Sequence, residues 1–314
     1  MDGKSILITG GTGTFGQAFI KYVLENYKPR RLIVFSRDEF KQFEMRKRFD
    51  GDPMRYFIGD VRDKSRLRMA FRPVDIVVHA AALKQVPSGE INPIEVKKTN
   101  IDGAQNVIVA AIECGVEKVL ALSTDKAVNP VNLYGSTKLC AEKLFLNGNM
   151  LSGEGGTRFS VMRYGNVANS RGSVIPFFRE CAQNGEIPLT DTRMTRFFIK
   201  IEDAVAFAAA RLEKMQGDEI FIPKMRAMRI KDLAHAIGGN KCTYPVIGVR
   251  PGEKIHETLI SAEETGAVIN KGPYYAVHPS EQKIAGMIPN KFNYWSDNGL
   301  LMTIHEIQEF LDGL

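Results

Sequence analysis

Residues 5 to 25 constrain the fold more than any other stretch. Ser5-Ile6-Leu7-Ile8-Thr9 is a short apolar run, Gly10-Gly11-Thr12-Gly13-Thr14-Phe15-Gly16 follows it directly, and Gln17 to Glu25 reads as a helix. A strand that turns through glycines into a helix fits few architectures. Gly10, Gly13 and Gly16 recur at every third position, which opens the turn's N–H groups to a pyrophosphate, and the helix N-terminus adds partial positive charge. Thr12, Thr14 and Phe15 lie between them and are expected to line the same cradle.

The alternation of strand and helix continues along the chain. Apolar strands read at 5–9, 31–36, 55–59, 74–79, 117–122 and 159–164, each separated from the next by a helix-compatible stretch. This pattern predicts an α/β protein with a Rossmann-like, doubly wound parallel sheet. After Asn166 the pattern becomes irregular and richer in Gly, Pro and Arg, with a helix around 201–213 expected to return to the sheet. Residues 1–165 are therefore expected to form a cofactor-binding domain, with 194–215 returning to it. Residues 166–193 and 216–314 are expected to form a smaller, partly discontinuous substrate-binding lobe, with the substrate in the cleft between the two.

The end of the second strand bears on cofactor choice. A carboxylate there binds the 2′-hydroxyl of NAD; this chain instead has Ser36 and Arg37, with Lys41 a turn further on, which suits the 2′-phosphate of NADP. Asp38 and Glu39 are the competing reading, since either side chain could bend back toward the ribose. Asp60 and Val61, after the third strand, are expected to hold the adenine.

Composition narrows the function classes. The 314 residues are 44% apolar and 25% charged, in the ordinary range of a folded globular protein, and no apolar run reaches the length of a membrane span. The first strand starts too near the N-terminus for a secretory signal peptide to precede it, so a cytoplasmic location is expected. Cys114, Cys140, Cys181 and Cys242 are widely spaced and the histidines are scattered, so neither a metal site nor a disulfide framework is expected. The net charge of +6 contains no long single-sign block, which argues against nucleic acid as a partner. Arg193-Met194-Thr195-Arg196 and Arg250-Pro251-Gly252-Glu253-Lys254 suit a smaller anion such as a diphosphate.

The chemistry is concentrated in Ser123-Thr124-Asp125-Lys126 and Tyr134-Gly135-Ser136-Thr137-Lys138. On a helix, Tyr134 and Lys138 share one face, so the ammonium could lower the phenol's pKa toward that of a working base. Tyr-x-x-x-Lys with an upstream Ser or Thr, together with the glycine turn, resembles the short-chain dehydrogenase/reductase superfamily. Within it the chain is similar to the extended members that act on nucleotide sugars, and most of all to the inverting UDP-N-acetylglucosamine 4,6-dehydratases of pseudaminic acid biosynthesis. The similarity is carried by 9–16, 35–39, Ala80-Ala81-Ala82-Leu83-Lys84-Gln85-Val86-Pro87, Ser123 to Pro130, Arg163-Tyr164-Gly165-Asn166-Val167, 194–198 and 250–254. It departs at Ser88-Gly89-Glu90-Ile91, where the family usually has Ala-Glu before the Asn-Pro pair.

The resemblance implies further roles. Ala80, Ala81, Lys84, Tyr134, Lys138, Tyr164, Asn166 and Val167 would contact the cofactor, and Lys84, Asn166, Ser173, Val174, Thr190, Met194, Arg196, Arg250 and Glu253 the UDP-sugar. Tyr134 would take the C4 hydroxyl proton as hydride leaves C4, and Thr124 would hydrogen-bond the C4 oxygen. The new ketone acidifies C5, where Lys126 would act as base while Asp125 protonates the leaving C6 hydroxyl. Lys126 must lose its proton for this, which the nicotinamide ring, Lys138 and Lys84 would favour by repulsion; Asp125 must stay protonated. The implied product is a 4-keto-6-deoxy sugar of L-arabino configuration, and a homo-oligomer is implied as well. A nucleotide-sugar 4-epimerase and a non-catalytic NADP-sensing protein are the alternative readings.

Overall fold

The computed structural model describes residues 1–170, 172–279, 288, 292–298 and 300–314, with the side chains of 265–267 left aside. Strand β1 (Ser5–Thr9) leads into helix α1 (Thr14–Asn26), β2 (Arg31–Ser36) into α2 (Glu39–Arg46), and β3 (Met54–Ile58) into α3 (Lys64–Phe71). After β4 (Ile76–His79) come α4 (Val86–Ile91), α5 (Pro93–Lys97) and α6 (Gly103–Cys114); β5 (Lys118–Thr124) leads to α7 (Leu133–Ser152) and then β6 (Arg158–Tyr164). These six strands lie within a residue or two of their sequence-predicted positions, because all but the edge strand β3 are largely buried runs flanked by sheet neighbours, whereas β3 is only partly buried.

The six are ordered β3-β2-β1-β4-β5-β6, all parallel. The order reverses between β1 and β4, and in open α/β sheets the carboxyl ends of the strands at such a switch point form the binding crevice. Beyond β6 the chain forms β7 (Asn166–Val167), α8 (Val174–Gln183), β8 (Thr195–Ile199), α9 (Ile201–Lys214), β9 (Ile220–Pro223), β10 (Arg226–Arg229) and α10 (Ile230–Gly238). The remaining elements are β11 (Thr258–Ile260), β12 (Val268–Asn270), β13 (Tyr274–Val277), β14 (Tyr294–Trp295) and α11 (Ile304–Asp312).

Helix α9 returns to the large sheet: Ala204, Val205, Ala208, Ala209 and Leu212 join its core. Strand β9 also returns. It pairs parallel with β6, and β13 and β12 extend the sheet antiparallel beyond it, although the sequence reading puts 216–314 in the smaller lobe. Ile220-Phe221-Ile222 is apolar on both faces, which suits a place between two sheet neighbours, and those neighbours, β6 and β13, come from distant parts of the chain. A second core, with Ile175, Phe178, Leu189, Met194, Phe198, Met228 and Leu233, lies under the small sheet β10-β8-β7 and helices α8, α10 and α11.

Candidate active site

The glycine turn is shaped by close contacts. Gly10 has φ +66°, and a Cβ there would meet Ala81 at 2.9 Å, so β1 and the strand-end residues Ala80 and Ala81 approach each other at the switch point. A Cβ on Gly16 would sit 2.5 Å from Gly11, which holds α1 against the turn. Gly13 is the N-cap of α1 and presents no side chain to the space ahead of the helix. Thr12 O accepts from Gln17 Nε2, Thr14 opens α1, and Phe15 stacks on Phe19 at 5.8 Å and on Tyr164 at 6.5 Å. This turn, with its backbone donors and missing Cβ atoms, fits a dinucleotide pyrophosphate.

At the end of β2, Ser36 is buried and its Oγ accepts from Gln42 Nε2 at 3.0 Å. Arg37 is half exposed, 3.6 Å from Asp60. Asp38 caps α2, accepting from Lys41 N at 2.9 Å, and pairs with Lys41 Nζ at 2.8 Å; the Lys41 contacts draw its carboxyl below the usual range. Asp60 pairs with Arg62 at 2.7 Å, and Val61 is buried against Gly103.

The reacting groups converge where β5 ends. Asp125–Ala127 forms a 3-10 turn, which brings adjacent side chains together where an extended strand would point them apart. Lys126 Nζ lies 3.1 Å from Asp125 Oδ1 and 3.3 Å from Asn166 Oδ1, and Thr124 Oγ1 donates to Asp125 Oδ1 at 2.9 Å. Asp125 is fully buried, and its Oδ2 has no hydrogen-bond partner among the described residues. Helix α7 seats against this turn because Gly135 carries no side chain: a Cβ there would lie 2.2 Å from Lys126 O. Asn132 caps α7, and Glu90 of α4 accepts from Leu133 N at 2.8 Å, so the segment that departs from the family pattern anchors the helix carrying Tyr134.

Electrostatics correct two expectations. Burial pushes the Tyr134 phenol up to about 12, opposed by the charge of Lys126 and a hydrogen bond with Thr124. The cation acting on Tyr134 is thus Lys126. Lys138 instead donates to Leu122 O at 2.6 Å, and burial lowers its ammonium to about 8 against the pull of Glu142. Lys126 itself does not stand below the lysine range in this chain. Burial works against its charge, but Asp125 and then Glu257 outweigh burial and raise it. Lys84, in the loop after β4, is lowered by desolvation and then by Lys126.

The expected substrate contacts are spread more widely. Ser173 precedes α8 with a buried Oγ that has no hydrogen-bond partner among the described residues, Val174 opens that helix, Thr190 is half-buried, and Val167 lies in the small sheet. Arg250 is exposed, 3.8 Å from Glu253. Met194 belongs to the second core, and the Arg196 guanidinium donates to Thr195 O, Ile255 O and Lys254 O, so both serve packing here. Two residues are missed by sequence reasoning. Asn100, in a π-helical turn, bonds Leu83 N, Leu83 O and Thr137 Oγ1 and ties the 80–87 loop to α7. Glu257 lies 3.6 Å from Lys126 and from Lys254, with no sequence signal beyond its nearness to a basic motif.

Together the fold and this cluster define an extended short-chain dehydrogenase/reductase. The model of the polysaccharide biosynthesis protein family matches residues 6–279, and the chain belongs to that family. It is 57% identical over 281 residues to a UDP-N-acetylglucosamine 4,6-dehydratase (inverting) of Campylobacter jejuni, covering 89% of this chain and 84% of the relative. A UDP-glucose 4-epimerase of Rickettsia akari is 42% identical, covering 87% and 82%. Among solved structures, Pen from Bacillus thuringiensis has a TM-score of 0.93 at 35% identity, covering 100% of this chain and 98% of that one. DesIV, a dTDP-glucose 4,6-dehydratase from Streptomyces venezuelae solved with NAD bound, shares the fold with a TM-score of 0.71 at 20% identity, covering 81% and 87%. No helix among the described residues is long and apolar enough to cross a membrane, and none of their side chains group as a metal site.

Proposed function

We propose that the protein is an inverting UDP-N-acetylglucosamine 4,6-dehydratase using NADP. The observation that carries this reading is the Asp125–Lys126 pair beside Tyr134. An epimerase needs only the tyrosine and lysine of α7, whereas elimination of water needs a second acid and base. The 57% identity to a named inverting enzyme, against 42% to an epimerase, points the same way.

A bound nicotinamide dinucleotide supplies the hydride acceptor for C4 and the donor for C6. Tyr134 takes the C4 hydroxyl proton, with Thr124 directed at the same oxygen. For elimination, Lys126 removes the C5 proton, Asp125 gives a proton to the C6 oxygen, the C6–O bond breaks and a C5–C6 double bond forms. The resting ion pair and the reactive neutral pair hold the same number of protons, so a proton shift from Lys126 to Asp125 prepares the site with no exchange with solvent. Asp125 Oδ2, buried and without a hydrogen-bond partner among the described residues, is the oxygen available to carry that proton.

NADP is supported by Arg37, just past β2, by Lys41 in the first turn of α2, and by the commitment of Asp38 to capping α2. The smaller sheet and second core would carry the nucleotide sugar, with a homo-oligomer and a cytoplasmic setting. The 4-keto-6-deoxy product would be the first intermediate toward pseudaminic acid or a related surface sugar. Incubation with UDP-N-acetylglucosamine, followed by mass spectrometry, should show loss of one water. Conversion to an isomer of unchanged mass would favour the epimerase; firm NADP binding with no turnover of any nucleotide sugar would favour a sensor.

A further inference from the structure

Glu257 is a buried charge beside the reacting groups. Its side chain is 4% exposed, and three cations stand around it: Lys126 at 3.6 Å, Lys254 at 3.6 Å and Arg196 Nε at 3.8 Å. Its backbone is held on both sides, because Glu257 N donates to Ser296 Oγ at 2.9 Å and Ser296 N donates to Glu257 O at 2.8 Å. Ser296 is in turn tied to Thr195, with Oγ–Oγ 2.6 Å, and both are fully buried. A buried carboxylate among three cations is costly to disturb, since removing one partner of a buried pair leaves the others unmatched.

We propose that Glu257 is a positioning residue for the elimination step, gathering Lys126, Arg196 and Lys254 around one buried carboxylate and so setting where Lys126 Nζ stands relative to Asp125 and Tyr134. The proposal rests on the dehydratase reading above. Lys126 comes from the turn after β5, Arg196 from β8 and Lys254 from the loop before β11, so one carboxylate joins the large sheet to the second lobe at the point of reaction. Lys254 Nζ also donates to Val128 O at 2.6 Å, which fixes the far side of the same turn. Glu257 takes no proton from the substrate. It acts through Lys126, which must lie close enough to Asp125 to hand over a proton and then face C5.

Charge makes this role separable from packing. The charged groups facing Lys126 are Asp125, Glu257, Arg196, Lys84 and Lys254, with the Tyr134 phenol beside it. Only Asp125 and Glu257 among them are anionic. Glu257→Gln keeps the shape of the side chain and removes one of the two, so the Lys126 ammonium should give up its proton at lower pH, by roughly one unit.

The test has two readouts. In the full chain with carbon-13 labelled lysines, and Lys126→Arg to assign the signal, the Lys126 midpoint should fall in Glu257→Gln and stay near the wild-type value in Glu257→Asp. In steady-state dehydration of UDP-N-acetylglucosamine, Glu257→Gln should lower kcat roughly tenfold or more, change KM by less than about twofold, and move the alkaline limb of the pH profile downward. Glu257→Asp should recover part of kcat. An unmoved Lys126 midpoint in folded Glu257→Gln protein would overturn the proposal, as would a lowered kcat with an unshifted pH profile. If Glu257→Gln does not fold, a Glu257→Asp midpoint displaced as far as one unit would overturn it. Wild-type protein that fails to dehydrate the sugar would sink the dehydratase reading, while the Lys126 titration still decides the place of Glu257.

Discussion

Side-chain chemistry yields predictions that separate the two halves of the reaction. Tyr134→Phe should block cofactor reduction and lower turnover roughly 10²–10⁴-fold, whereas Lys126→Ala should still form some reduced cofactor on adding substrate; absorbance in the reduced-nicotinamide band distinguishes them. Dehydration at the wild-type rate by Lys126→Ala would remove that residue from elimination. Arg37→Ala should narrow the preference for NADP over NAD by about 1.5–3 kcal/mol in calorimetric titration, as expected for one charge-assisted contact. Equal wild-type affinities would sink the NADP assignment. His79 gives a stability prediction. It is buried at the end of β4, with Nδ1 2.8 Å from Thr9 Oγ1, and burial, then Lys138, depress it to about 3. Its folded pKa lies below the unfolded value, so only the unfolded chain binds a proton between about pH 6.5 and pH 3 and stability falls as pH drops through that window. The loss from this one group is on the order of 4 kcal/mol by pH 3, and the acid-unfolding curve of His79→Asn should lack that slope.

Among the elements, α7 decides the geometry of the site. It carries Tyr134 and Lys138 on one face, is capped by Asn132, and reaches the Asp125–Ala127 turn only because Gly135 has no Cβ. Gly135→Ala must push the helix or the turn away, since the obstructing atom is the backbone oxygen of Lys126. We expect a stability loss of roughly 1–3 kcal/mol and a larger fall in kcat than in cofactor affinity, read by thermal unfolding and single-turnover kinetics. A variant as active as the wild type would show that the close approach of α7 and the turn is dispensable. Farther along the same helix, Glu142 forms a buried pair with Arg163 at 2.6 Å, and Glu264 completes it at 3.1 Å, fixing α7 to β6.

At the scale of the molecule, the large sheet presents the dinucleotide cradle and the second lobe closes over its carboxyl edge. Hydride returns to the sugar from which it came, so the cofactor need not leave between turnovers and should remain bound through purification. Elimination leaves a planar C5, and the face that receives the next proton sets the configuration. Turnover in deuterated water should give an initial 4-keto product carrying deuterium at C5 with L-arabino configuration, followed by proton NMR before exchange beside the ketone scrambles it. An initial D-xylo product would mean that the face which lost the proton also regains it.

The sequence by itself determined the first six strands, the glycine turn and the placing of Tyr134 and Lys138 on one face of a helix, because these depend on local periodicity and on backbone conformations that few residues allow. It named Asp125 and Lys126 as the acid and base, but the 3-10 turn that brings their side chains together is a feature of the structure. Tertiary structure alone decided their electrostatic state: Glu257 arrives from 131 positions away, and with Asp125 it raises Lys126 where repulsion from other cations was expected to lower it. Tertiary structure likewise moved β9, β13 and β12 into the large sheet, and set the Arg196 guanidinium against the backbone carbonyls of Lys254 and Ile255. Strand partners and buried charges are set by contacts between distant segments, and the free energy of a charge depends on every group that removes its water, which no local pattern records.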